Sequence, residues 1–151
     1  MPGLPDDPEL PGTPPPDPLN MVARVVVTAA VVRRGRRYLV TRRQPGVHLE
    51  GYWEFPGGKC DPGEALAACL ARELREELAV DAHVGAEIHA VTHRYDDREV
   101  ELHFFECSLD HEPRPQLGQE LRWVQRDELQ TLDFPPADAE LIRRLEAGGT
   151  A

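Results

Sequence analysis

Glu73, Glu76 and Glu77 bring three carboxylates together at offsets of three and four residues. Such offsets place side chains on one helix surface. At roughly 100° per residue they form a narrow stripe beside, not opposite, the stripe of Leu66, Leu70, Leu74 and Leu78. Like charges at i,i+4 destabilise a helix by about 0.2–0.5 kcal/mol, so the cluster needs a counter-charge. Divalent cations would supply one, because hard cations take oxygen ligands. The competing reading is a solvated acidic face, eased by Arg72 and Arg75. Gly57 and Gly58, just upstream, let the backbone pass close to a metal or phosphate while presenting carbonyls.

The residues between decide between these readings. Gly58 is followed five residues on by Glu64, and after seven more by Arg72-Glu73-Leu74-Arg75-Glu76-Glu77. This spacing resembles the signature of the Nudix hydrolases, Gly-x5-Glu-x7-Arg-Glu-U-x-Glu-Glu-x-Gly-U, where U is a bulky aliphatic residue. Gly58 to Val80 matches every fixed position except the second Gly, where Ala79 stands. That position falls at the helix exit, where Gly serves as a left-handed cap, and no ligating side chain is lost there.

The resemblance implies a metal-dependent enzyme that splits a phosphoanhydride. Water attacks an internal phosphorus of a nucleoside triphosphate, releasing a nucleoside monophosphate and pyrophosphate. It further implies that Glu73, Glu76 and Glu77 hold Mg²⁺ or Mn²⁺, with the Gly57 carbonyl as a further ligand. Arg72 then orients a glutamate by a charge-assisted hydrogen bond, and Glu64 supports the ligands from behind. The general base is left open between Glu73 and Glu120, the latter standing before Leu121-Arg122-Trp123-Val124, where relatives place an additional acid that also serves the metal.

Similarity extends beyond the signature, over about residues 25–145. Trp53-Glu54-Phe55-Pro56-Gly57-Gly58-Lys59 looks like the corresponding stretch of MutT-type enzymes, which remove oxidised guanine nucleotides, and Thr41-Arg42-Arg43 resembles their phosphate-reaching segment. Arg43 is therefore a candidate for the phosphates, and Lys59 and Phe55 are further candidates for substrate binding. Phe134-Pro135-Pro136-Ala137-Asp138 is similar to the MutT-type base-contacting loop, but Asp138 stands where that loop carries Asn. An amide both donates and accepts, whereas an ionised carboxylate only accepts. Asp138 could thus face a purine edge, favouring 8-oxo-dGTP, or the exocyclic amine of cytosine, favouring a CTP pyrophosphohydrolase. It could also simply cap the last helix. A non-catalytic nucleotide-sensing module is a further alternative, disfavoured by the complete glutamate set.

These residues need a scaffold. A β-branched run at 24–33, the turn Arg34-Gly35-Arg36 and Tyr38-Leu39-Val40-Thr41 predict a hairpin whose first strand, apolar on both faces, is central and covered on both sides. Residues 44–51 read as a loop and 52–55 as a short strand that Pro56-Gly57-Gly58 stops. The leucine spacing predicts a helix over 64–78. Strands follow at about 81–94, 99–109 and 121–124, and a last helix from 136 or 137 to 145. The expected class is α/β: a mixed sheet sandwiched between helices, the Nudix fold that the resemblance implies.

Composition sets outer bounds. With 40% hydrophobic and 29% charged residues in 151, the chain suits one compact domain, placed at 21–151. Residues 1–20 hold eight of fifteen prolines, four acids and no base, and read as a disordered tail. The net charge of -10 argues against a nucleic-acid polymer as partner, while a carboxylate cluster can still carry a triphosphate through bound cations. The longest apolar run, 25–32, is too short to span a bilayer and lacks the flanks of a secretory signal. Cys60, Cys69 and Cys107 suggest neither a disulfide framework nor a zinc cluster, and so a reducing cytoplasm. Oligomeric state is not legible.

Overall fold

The computed structural model describes residues 23–47 and 49–147. The proline-rich stretch at 1–20 lies outside the described residues. The chain runs β1 (Ala23–Arg34), β2 (Arg37–Arg42), β3 (Trp53–Glu54), β4 (Gly57–Lys59), α1 (Leu66–Leu78), β5 (Ala82–Arg94), β6 (Arg98–Leu109), β7 (Leu121–Gln125) and α2 (Ala139–Glu146).

β1 is the central strand of a mixed sheet ordered β3-β2-β1-β6-β5, with β4 also paired to β1 and β7 to β2. It runs parallel to β6 from Ala23↔Arg98 to Val32↔Cys107, and antiparallel to β2 and β4. Its alternation explains the two-sided apolar pattern. Ala30 and Val32 pack with Leu70, Leu74 and Leu78 of α1 on one face. Ala29 and Val31 pack with Leu141, Ile142 and Leu145 of α2 on the other. The sheet is thus sandwiched between helices, as expected.

Three local expectations need correction. Gly57-Gly58 does not merely stop a strand: with Lys59 it forms β4, registered against Val27, Thr28 and Ala29. The reason is steric, since a Cβ on Gly57 would collide with the Thr28 carbonyl. The helix starts at Leu66, two residues late, because 61–64 are committed to a turn in which Glu64 N–H donates to the Asp61 carbonyl (3.0 Å) and Asp61 N–H to Glu64 Oε1 (2.9 Å). The last helix is a 3₁₀ turn, Pro136–Asp138, running into α2.

The fourth correction is covalent. Cys60 and Cys69 form a disulfide, with Cα atoms 5.4 Å apart. Their separation of nine residues gave no motif to read, but the 61–64 turn folds the chain back and brings the two within bridging distance. Cysteine usage therefore no longer argues for a reducing compartment.

The C-terminus of α1 is closed by Ala79 in the left-handed conformation (φ 53°), its N–H donating to the Arg75 carbonyl (3.1 Å). A β-carbon in that conformation costs roughly 1–2 kcal/mol, partly offset by the lower chain entropy of Ala. Ala79→Gly is expected to raise stability by about 0.5–1 kcal/mol, or roughly 2–4 °C in Tm. Differential scanning calorimetry checks this; an unchanged or lower Tm would mean that the site is unstrained.

Candidate active site

Strand β4 lies against the middle of α1. A Cβ on Gly58 would collide with the Glu73 carboxylate, so glycine there lets the helix bring its acid up to the strand. Both Gly57 and Gly58 border a cavity of about 460 Å³, together with Glu73 and Glu77.

Arg72 is the hub beneath them. Its guanidinium grips Glu64 with two bonds of 2.8 Å, Nε to Oε2 and Nη2 to Oε1. Nη1 donates to Glu73 Oε2 (3.0 Å) and Glu76 Oε1 (3.2 Å), and Nη2 to the Lys59 carbonyl (3.3 Å). The Arg72 hydrogen bonds, helped by the Asp61 N–H, hold the Glu64 carboxyl down at about 2. One guanidinium thereby ties the end of β4 and the 61–64 turn to the helix.

The three glutamates separate into different environments. Glu73 is nearly buried, its side chain 12% exposed, whereas the Glu76 side chain is 58% exposed and turned to Arg72. Glu77 turns into the cavity and hydrogen-bonds Glu73; burial first, then the charges of Glu73 and Glu54, push its carboxyl up to about 8. Arg72 therefore supplies much of the counter-charge that the stripe demanded. Glu77 is left with a surplus of negative neighbours, an arrangement that suits a hard dication with carboxylate oxygens. Among the described residues, Cys60, Glu64 and Cys69 bring ligand atoms within 4.8 Å of one another, but both sulfurs are consumed by the disulfide.

Much of the remaining wall is apolar, interrupted by Glu54, Asp138, Tyr95 and the basic Arg43, Lys59 and Arg98. Phe55 stacks on Phe134 at 5.3 Å and meets Phe104 edge-on at 6.0 Å. Asp138, only 4% exposed, lies in the wall. It stands at the N-cap of α2 but makes no side-chain cap hydrogen bond, so capping does not account for it. Burial first, and then the Glu54 charge, push its carboxyl up to about 7. Tyr95 borders the same space and is itself raised by burial and by Asp138.

Arg43 donates to Glu54 Oε1 (2.7 Å), and both border this cavity and a smaller one of about 130 Å³ that they share with Glu77, Gln44 and Gln119. Lys59 borders the larger cavity. Glu120 borders neither: half-exposed, it faces Arg42 (3.6 Å) and Arg122 (3.8 Å).

Sequence reasoning passed over two residues. Glu54 was quoted within a motif but given no role; its signal was a lone acid between Trp53 and Phe55 in a short strand. Gln119 carries no motif: its Nε2 caps the Glu77 carbonyl (3.1 Å) while Arg114 and Gln116 N–H groups cap Leu78 and Glu77.

A glycine strand beside a carboxylate helix, opening on an apolar cavity with basic residues at its rim, defines a metal-assisted hydrolase of phosphoanhydrides. The NUDIX domain family matches residues 27–144, and the chain belongs to it. It is 40% identical to the putative 8-oxo-dGTP diphosphatase 2 of Mycobacterium tuberculosis, over 83% of this chain and 92% of that protein. To the CTP pyrophosphohydrolase of Escherichia coli it is 32% identical, over 82% and 92%. The solution structure of the E. coli ORF135 protein superposes with a TM-score of 0.75 at 30% identity, covering 89% of this chain and 96% of that one. The enzyme works with a divalent metal, and among its described residues no helix is long and apolar enough to cross a membrane.

Proposed function

We propose that this enzyme is a Mg²⁺-dependent nucleoside triphosphate pyrophosphohydrolase that sanitises oxidised nucleotides, cleaving 8-oxo-dGTP to 8-oxo-dGMP and pyrophosphate. The observation that carries the reading is Asp138, buried in an aromatic-walled cavity and raised to about 7. A carboxyl that keeps its proton near neutrality both donates and accepts. It thereby recovers what the asparagine of MutT-type loops offers to an oxidised purine edge. Phe55, which borders the cavity and is stacked on Phe134, supplies a face on which the base packs.

The triphosphate then runs toward Gly57-Gly58, with Arg43 and Lys59 as its basic contacts. Glu73 and Glu77, with the Gly57 carbonyl, would hold the metal, and Glu76 would join them on leaving Arg72. Bound there, a divalent cation would lower the pKa of an attacking water and offset charge developing on the bridging oxygen. Glu73 is the better placed general base, because it borders the cavity and Glu120 does not. Arg72, gripping Glu64, orients Glu73 by the 3.0 Å bond. Because the substrate belongs to the pool of DNA precursors, we place the enzyme in the cytoplasm. The charge of -10 keeps nucleic-acid polymers off the list of partners.

A second reading has its own support. The 32% identity to the CTP pyrophosphohydrolase, together with an ionised Asp138, fits the exocyclic amine of cytosine. Pyrophosphate release over a panel of 8-oxo-dGTP, dGTP, CTP and dCTP with Mg²⁺ or Mn²⁺ separates the two. We expect kcat/KM for 8-oxo-dGTP to exceed that for dGTP and CTP at least about tenfold, the worth of one buried hydrogen bond. Equal rates, or a preference for CTP, would sink the sanitising role.

A further inference from the structure

The disulfide sits inside the catalytic signature itself. Cys60 follows β4 directly, its N–H bonded to the Val26 carbonyl (2.9 Å). Cys69 lies in the first turns of α1 and is fully buried, its sulfur 3.3 Å from Thr28 Oγ1 and 3.9 Å from the Gly58 carbonyl oxygen. The bridge encloses Asp61 to Ala68, including Glu64, whose side chain is tied to the helix through Arg72. Loop and helix thus carry two fasteners, one ionic and one covalent. The covalent one is asymmetric: Cys60 is partly exposed while Cys69 is sealed beneath the loop.

We propose that Cys60 and Cys69 form a reversible thiol–disulfide modification site that fastens the turn after β4 to helix α1, with a dithiol as reductant and a disulfide as oxidant. In the reducing direction, a thiolate of the dithiol attacks the accessible Cys60 sulfur. The S–S electron pair leaves on Cys69, whose thiolate accepts a hydrogen bond from Thr28 and then takes up a proton. The second thiol of the dithiol attacks its own sulfur in the mixed disulfide and expels Cys60 as thiolate, which is also protonated. Two electrons and two protons pass to the protein, and the dithiol becomes a disulfide. Glutathione disulfide drives the reverse. Cys107, on β6, is a built-in reference: burial pushes its thiol up to about 12, so it stays out of the exchange.

The fastened turn follows β4 and carries Glu64, which grips Arg72 and through it Glu73, so the bond bears on the metal site; that arm rests on the assignment of Glu73 and Glu77 as ligands. The test equilibrates the full chain in buffers of reduced and oxidised dithiothreitol, a dithiol–disulfide couple, quenches by alkylation and counts thiols by mass. We expect one free thiol under oxidising and three under reducing conditions, interconverting repeatedly. Reduction should lower Tm by roughly 5 °C, as expected for opening a short closed loop. It should also weaken Mn²⁺ binding, read by electron paramagnetic resonance, about three- to tenfold. Cys60→Ser should behave as the reduced form in every buffer. A thiol count that does not respond to the buffer, or equal Tm for the two forms, overturns the proposal; equal Mn²⁺ affinity of two verified forms overturns its link to the site. Absence of Mn²⁺ binding in both forms would instead refute the ligand assignment, with the thiol count and the melting shift still deciding the redox site.

Discussion

Glu77→Gln is expected to lower kcat about 10³-fold while raising the Tm of the metal-free protein by roughly 2–4 °C. Both effects come from one arrangement. Glu77 sits in the cavity wall with Glu73 hydrogen-bonded to it and Glu54 nearby, and the Arg43 charge only partly offsets them. With its carboxyl raised to about 8, Glu77 must take up a proton on folding near neutrality in the absence of metal, a cost that a neutral amide of the same shape avoids. The same change removes a charge that a dication requires, and several kcal/mol of transition-state stabilisation go with it. Steady-state kinetics and calorimetry on one preparation test both halves. Loss of activity with a lower Tm would mark Glu77 as structural, and retention of activity would remove it from the metal site. Glu120→Gln is the informative contrast: a loss as deep as that at Glu77 would make Glu120 the base in place of Glu73.

Asp138→Asn should preserve turnover of 8-oxo-dGTP and flatten its pH dependence, while Asp138→Ala should lose about 10–100-fold in kcat/KM, one to a few kcal/mol for a buried partner left unpaired. The sign follows from the direction of the shift. The carboxyl titrates near 7 in the folded protein, against 3.8 ordinarily, so its donor is present below about pH 7 and disappears above it. The ratio of wild type to Asn variant should therefore fall about tenfold per pH unit above 7. Taking the ratio cancels the titration of the metal site, which both proteins share. Stability carries the same signature: an acid with a raised folded pKa destabilises the fold progressively as pH rises from about 4 to about 7. The Asn variant should gain on wild type across that window, by up to roughly 4 kcal/mol. A ratio that does not vary with pH would show that Asp138 reads the base as a carboxylate, or not at all.

The sheet and helices were legible because their residues repeat a period: leucines every four positions in α1, apolar residues on both faces of β1. Boundaries failed where a local bond outweighed periodicity, as when the Asp61–Glu64 turn delayed α1 to Leu66. Within the site, the signature announced which acids to examine but not their division of labour. Which of Glu73, Glu76 and Glu77 faces the cavity depends on where Arg72 reaches, and that depends on Glu64 eight residues back. The disulfide was illegible for a similar reason, since a separation of nine residues becomes a contact only once the turn has formed. Ala79, by contrast, was read correctly from one missing glycine, because a helix exit constrains a single dihedral.

The order in which these parts can assemble follows from the parallel pairing of β1 with β6. The hairpin β1–β2, the strand β4 and helix α1 join residues close in sequence, so they can nucleate together. The β1–β6 ladder instead closes a loop of 75 positions, from Ala23 to Arg98, and such closure spends chain entropy before its contacts form. The base cavity lies across that seam, with Val27 and Ala29 on one side and Leu102 and Phe104 on the other. Folding therefore prepares the chemistry before the recognition: the loop and helix that carry the acids belong to the early, local half, and the pocket that chooses the nucleotide exists only once the late, long-range half has docked. Substitutions at the seam should slow refolding, whereas those on the outer turns of α2 should chiefly speed unfolding.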